Sequence, residues 1–294
     1  MRAIVVLVLT LAATQASAWK QSTAGDTGVC LAWGNRTVGW SAASPLGGTV
    51  PENEALEVVR RSFGVWEAES CSDLSFVEGP RASRGTGYES KGPNTNVIVM
   101  RDRSCDAVVP DRDPCLSDRT CASKYDCWEF DPGVIAMTTV TSSNCSGRIL
   151  DADIEFNAAS FRFTAVDGPR CDKAGQSGCV EMDLQNTLVH EIGHLIGLDH
   201  SDDRDATMFR SASAGETNKR VLGHDDRAAL CAVYPQGQAA RTCGAAASPA
   251  ECEARRQRYR TRTGCSAAGG GNGGALIVAT GLTLLAARRS RRRA

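Results

Sequence analysis

The chain has 294 residues, a formal net charge of −1 and 23% charged residues. That length allows one well-buried domain plus extra segments, and the near-zero charge excludes a broad attraction to nucleic acid or to an anionic membrane surface. Hydrophobic residues at 42% fit an ordinary globular protein and exclude a multi-span membrane protein.

In chain order, Met1-Arg2, an apolar run from Ile4 to Ala13 and the small-residue pattern Ala16-Ser17-Ala18 read as a secretory signal peptide over residues 1–18. The other reading of the same run is a buried N-terminal strand or helix. Residues 19–236 read as one folded domain. Thr37 to Ser41 is a short strand, and Pro51 to Glu69 is an amphipathic helix in which Leu56, Val59, Phe63 and Trp66 recur at helical spacing. Asn96 to Met100 is apolar and β-rich, which predicts a buried strand. Residues 101–132 carry four cysteines, several Asp and three Pro, and predict a disulfide-stapled surface loop.

Val134 to Thr141 is a further strand. Ile149 to Asn157 alternates, with Ile149, Asp151, Asp153 and Glu155 on one face, and predicts a strand with one wet face, at a sheet edge beside a cleft. After a Gly- and Cys-bearing loop at 168–179, Asp183 to Leu195 reads as a long helix with Asp183 as its N-cap. His224 to Tyr234 is a last helix, stopped by Pro235. The order helix, strands, helix, loop, helix predicts an α+β fold with one twisted mixed sheet and three main helices.

Residues 237–264 are polar and Arg-rich and read as a linker or a small disulfide-tied appendage, and 265–294 as a separate C-terminal sorting or anchor segment. The 13 cysteines fit export to an oxidising compartment. Setting Cys265 aside leaves twelve, from Cys30 to Cys252, whose pairing spacing does not reveal. No CxxC pair is present, which argues against a cysteine zinc site.

The chemistry lies in His190-Glu191-Ile192-Gly193-His194-Leu195-Ile196-Gly197-Leu198-Asp199-His200. Residues i and i+4 of a helix share a face, so His190 and His194 can point two imidazoles at one ion. Gly197 permits a sharp turn that brings His200 back as third ligand. Three neutral imidazoles suit one Zn2+ and leave a fourth position for water. Glu191 can take that water's proton and pass it to a leaving amine. Three of the protein's four histidines fall in this stretch, so the alternative of satisfied core histidines leaves the spacing unexplained.

This stretch resembles the metzincin clan of zinc endopeptidases, and within it the matrixins. Met208 is similar to the clan's Met-turn methionine, a structural support beneath the ligands. Ser201, the segment Leu222 to Tyr234, the helix ending Phe63-Gly64-Val65-Trp66 and the strand Ile149 to Asn157 add to the likeness. The resemblance implies a zincin-like metalloprotease domain, hydrolysis of peptide bonds in extracellular proteins, extended polypeptide substrates, and an S1′ wall from residues 209–222. It departs from the family in lacking the PRCGxPD propeptide motif and, with only His224 left over, a second zinc site. Asp102, Asp106, Asp111 and Asp113 could offer oxygens to Ca2+ but follow no recognisable loop pattern.

Cys265, a Gly-rich spacer, the 13-residue apolar run Ala275 to Ala287 and the Arg cluster 288–293 look like the sorting signal of myxobacterial surface proteins. That likeness implies sorting machinery acting near Cys265, which becomes a processing or lipidation point. The competing reading is a permanent single-pass anchor. The expectation is thus a monomeric, secreted or cell-surface enzyme that touches membrane only through this segment and binds no nucleic acid. The rivals are a zinc-holding but inactive adhesion module and a purely structural disulfide-rich surface protein.

Overall fold

The computed structural model describes residues 17–244 and 258–267. The apolar start of the signal-peptide reading, Cys252, the apolar run and the Arg cluster lie outside the described residues.

A six-stranded mixed sheet carries the fold. Its strands are β1 (Thr37–Ala42), β2 (Ser75–Glu78), β3 (Val97–Arg101), β4 (Ala136–Ser143), β5 (Ile149–Asn157) and β7 (Arg258–Thr263), in the order β7-β4-β5-β3-β1-β2. The β2, β1, β3 and β5 pairings are parallel, while β5 with β4 and β4 with β7 are antiparallel. Two short strands, β6 (Ser211–Ala212) and β8 (Ser266–Ala267), pair parallel.

Three larger helices match the periodicities. Helix α1 (Glu52–Glu67) buries Ala55, Val58, Val59, Phe63 and Trp66, and Phe63 stacks on Trp40 of β1 with ring centroids 4.7 Å apart. Helix α5 (Leu184–Leu195) is almost wholly buried. Helix α6 (His224–Val233) closes the domain. Buried apolar side chains from β1, β3, β4, β5, α1, α5 and α6 form one continuous core. The expected α+β fold with a mixed sheet and three main helices is what forms.

Residues 101–132, expected as loop, contain three single-turn helices, α2 (Cys105–Val108), α3 (Pro114–Asp118) and α4 (Cys121–Tyr125). Cys105–Cys127 and Cys115–Cys121 staple them. Ser104 and Asp113 cap α2 and α3 through their side-chain oxygens, so local hydrogen bonds build turns too short to show a helical period. Cys171–Cys179 closes the 168–179 loop, and Cys71–Cys231 and Cys30–Cys243 tie early segments to late ones.

Two expectations change. β5 is not an edge strand: it lies between β4 and β3, and Asp151, Asp153 and Glu155 are all but fully buried. Its acidic face is covered by a chain segment that supplies partners. Asp153 accepts the amides of Gly87 and Val97 at 2.5 and 2.8 Å, and Glu155 pairs at 2.7 Å with Arg101, itself fully buried. Alternation reports two chemically different faces, and here both are dry. The second change is at residues 258–263, which continue the main sheet as β7 rather than form a linker. β4 offers a row of backbone donors and acceptors that a strand must otherwise leave to solvent.

Candidate metal centre

The site begins with how α5 is held. Asp183 caps its first turn, accepting the Asn186 amide at 2.7 Å, and is locked by Arg220 at 2.9 Å. At the other end, carbonyls left without helical partners take side-chain donors from distant segments. Trp33 Nε1 donates to Leu195 O at 2.9 Å and the Tyr234 hydroxyl to Ile196 O at 2.7 Å. The helix stops at Gly197, where φ is +89° and a Cβ would meet Leu31 O at 2.5 Å. That position requires glycine, and the turn it allows carries the chain to His200.

The rings converge as the spacing predicts. His190 Nδ1 donates to Thr207 O at 2.7 Å and His194 Nδ1 to Leu198 O at 2.8 Å. A backbone acceptor fixes the tautomer, so both Nε2 atoms present lone pairs. Those Nε2 atoms lie 3.2 Å apart, and His194 Nε2 is also 3.2 Å from His200 Nε2. Lone pairs facing one another at that distance repel unless a cation lies between them. Nitrogens on a tetrahedral zinc at about 2.0–2.1 Å stand about 3.3 Å apart. The donor set fits that ion.

Electrostatics agree. Burial holds His190 well below the usual imidazole range, and burial with the nearby His194 lowers His200 to about 2. Both rings are therefore neutral, the form that binds metal. Glu191 is fully buried, and burial pushes its carboxyl above the usual carboxylate range. Thr138 of β4 donates to Glu191 Oε2 at 2.6 Å, and the Cys265 amide donates to Oε1 at 3.2 Å. Buried Lys219 donates to the carbonyls of Phe209 and Ser211 at 2.5 and 2.8 Å, bracing the wall opposite.

Met208 packs against α5 at Gly193. A Cβ on Gly193 would sit 2.1 Å from its Sδ and 3.0 Å from Trp66. The turn around it hangs on buried Asp226, which accepts the amides of Thr207, Met208 and Gly223 at 2.6, 2.9 and 2.8 Å.

The structure therefore gathers His190, His194, His200, Glu191 and Met208, and adds Cys265, whose ligand atom lies within 4.8 Å of those of His190 and Glu191. Cys265 was read as part of a separate tail element. It is instead 1% exposed beside Glu191 and His190, because β7 and β8 carry it there. Asp102, Asp106, Asp111 and Asp113 are not gathered into any three-residue ligand group among the described residues. Asp102 serves the Gly48 amide, and Asp113 serves the Cys115 amide, Lys124 and Tyr125. Thr138, Gly193, Lys219 and Asp226 escaped the sequence reading as site residues. Only Gly193 left a signal, as a glycine inside a helix that marks close approach.

The matrixin family model matches residues 122–235, under half of the chain. Metalloendoproteinase 5-MMP of Arabidopsis thaliana is 45% identical over 53 residues, 18% of this chain and 14% of that protein. Endoribonuclease YbeY of Rubrobacter xylanophilus is 36% identical over 61 residues, 19% of this chain and 42% of that protein. The chain thus covers well under half the length of either relative. Residues 122–235 are matrixin-like in sequence, and they contain all three imidazoles, Glu191, Met208 and the strand whose Thr138 bonds Glu191.

Proposed function

We propose that this protein is a zinc-dependent endopeptidase acting on extended polypeptides outside the cytoplasm. The observation that carries the reading is the convergence of three neutral imidazoles with a buried carboxylate beside them. His190, His194 and His200 would hold the metal. When bound, zinc supplies Lewis acidity toward a water and a substrate carbonyl. Glu191 takes the water's proton as bond formation proceeds and returns it to the departing amine. Thr138 holds the carboxylate in place through Oε2, so the proton falls to Oε1, the oxygen that the Cys265 amide bonds in this structure. The β4 edge that β7 covers carries backbone donors and acceptors in strand register, which a peptide would pair with in place of β7.

A phosphodiester substrate, as the second relative's name would suggest, fits less well. The net charge of −1 gives no broad attraction to a nucleic-acid backbone. The signal-peptide reading and the disulfides support export, and the C-terminal pattern supports sorting at the cell surface. An inactive zinc-holding module would have no need of a buried, hydrogen-bonded Glu191. The test is Glu191→Ala in purified protein. Zinc content by elemental analysis should stay at wild-type level, while cleavage of a peptide library falls about 10³-fold. Unchanged cleavage with the metal in place would end the assignment.

A further inference from the structure

The groove beside the metal centre already contains a strand, and it belongs to this chain. β7 runs antiparallel to β4 from Arg258↔Ser143 to Thr263↔Thr138. Two residues further on, β8 runs parallel to β6, with Ser266 opposite Ser211. One extended segment therefore crosses the cleft with its backbone paired to a wall on each side. Between the two pairings lie Gly264 and Cys265, directly at the site.

Several contacts show that this crossing is built. A Cβ on Gly264 would lie 2.1 Å from Ala136 O, so no other residue allows this approach. The Cys265 carbonyl accepts the Ile135 amide at 2.9 Å, and the Ser266 amide donates to Arg210 O at 3.2 Å. The Cys265 amide bonds Glu191 Oε1, the oxygen the proposed chemistry needs free, and its sulfur lies within 4.8 Å of a ligand oxygen of the same carboxylate. The thiol lies within 4.8 Å of a His190 ring nitrogen and is 1% exposed. The segment is not presented as a substrate, because its Cys265 carbonyl is engaged by the Ile135 amide just before β4.

We propose that Arg258–Ala267 is an internal pseudosubstrate that keeps the cleft closed, with the Cys265 sulfur competing with water for the metal and its proton passing to Glu191. This rests on the endopeptidase reading above. Occupancy by a tethered segment lowers the fraction of molecules able to accept a peptide, and weakens apparent substrate binding by that same fraction. Any agent that acts on Cys265 must first draw the strand out, so processing of the tail and opening of the cleft become one event.

The experiment uses the full chain in a Cys145→Ser, Cys252→Ser background, so that Cys265 is the one cysteine left outside the five disulfides. Cys265→Ser removes the sulfur, and Gly264→Val expels the segment by collision with Ala136. Three readouts are taken: the iodoacetamide alkylation rate of Cys265, the sulfur-to-cobalt charge-transfer absorption of the Co2+-loaded protein, and cleavage of a quenched peptide library. The parent protein should show the absorption and slow alkylation. Cys265→Ser should lose the absorption, Gly264→Val should alkylate rapidly, and both should cleave at least about tenfold faster. Equal alkylation of parent and Gly264→Val, or absence of the cobalt absorption in a metal-loaded parent, overturns the proposal. If no variant holds metal or cuts peptide, the endopeptidase reading has failed. The alkylation comparison in metal-free protein then still decides whether the segment fills the groove.

Discussion

The metal helix and the cleft edge are built on opposite principles. On α5 and the turn after it, three imidazoles and a carboxylate come from eleven consecutive residues, and helical geometry alone aligns most of them. At the cleft edge, Thr138 on β4, Cys265 beyond β7 and Ser211 on β6 come from segments far apart in sequence, and strand pairing brings them together. On the proposed reading the first arrangement would place the ion, and the second would control what the carboxylate beside it can do and which chain can approach. A short motif can therefore be complete while the activity it implies is governed by distant residues.

Breaking the local half should have the largest effect. His194→Ala removes the ring whose Nε2 lies 3.2 Å from both other ligands, and should abolish zinc retention and peptide cleavage together. Elemental analysis and a cleavage assay on the same sample check it. Breaking the sheet away from the site should separate stability from chemistry. Arg101→Met leaves Glu155 buried without its cation, and a buried partner so stranded costs about 3–5 kcal/mol. Denaturant unfolding should show the loss, with zinc content per folded molecule unchanged.

The bond joining the two halves is the sharper probe. Thr138→Val removes the hydroxyl on Glu191 Oε2, and should lower kcat about 10- to 100-fold while metal stays bound. If the defect fell on metal content instead, β4 would be supporting the ligands and not the base. The smallest effect concerns protons. His190 and His200 titrate below the ordinary 6.5 in the folded chain, His200 at about 2. Below 6.5 the unfolded chain binds protons that the folded chain refuses, so metal-free protein loses stability as pH falls from 6.5. Each of the two rings should account for roughly 1 kcal/mol between pH 7.5 and 5.5, measured by denaturant unfolding in chelator.

Legibility followed the range of the interaction. α1 and α5 declared themselves by period, and Asp183 by its place before an apolar run. Gly197 was readable because only a turn there returns His200 to the ion. The wet face assigned to β5 was misread because alternation does not say what covers a face, and Arg101 and the amides of Gly87 and Val97 cover it. The insert between Cys105 and Cys127 hid its helices, since one turn shows no period and its caps act over two residues.

By itself the sequence determined which three imidazoles and which carboxylate converge, and the large elements, since each depends on spacing within a few helical turns. Tertiary structure alone decided that Thr138 and Cys265 meet Glu191, which cysteines pair, and that the cleft edge is β4 with a strand of the same chain laid along it. Those outcomes depend on pairings across tens to hundreds of residues, where backbone groups need partners but local sequence does not name them.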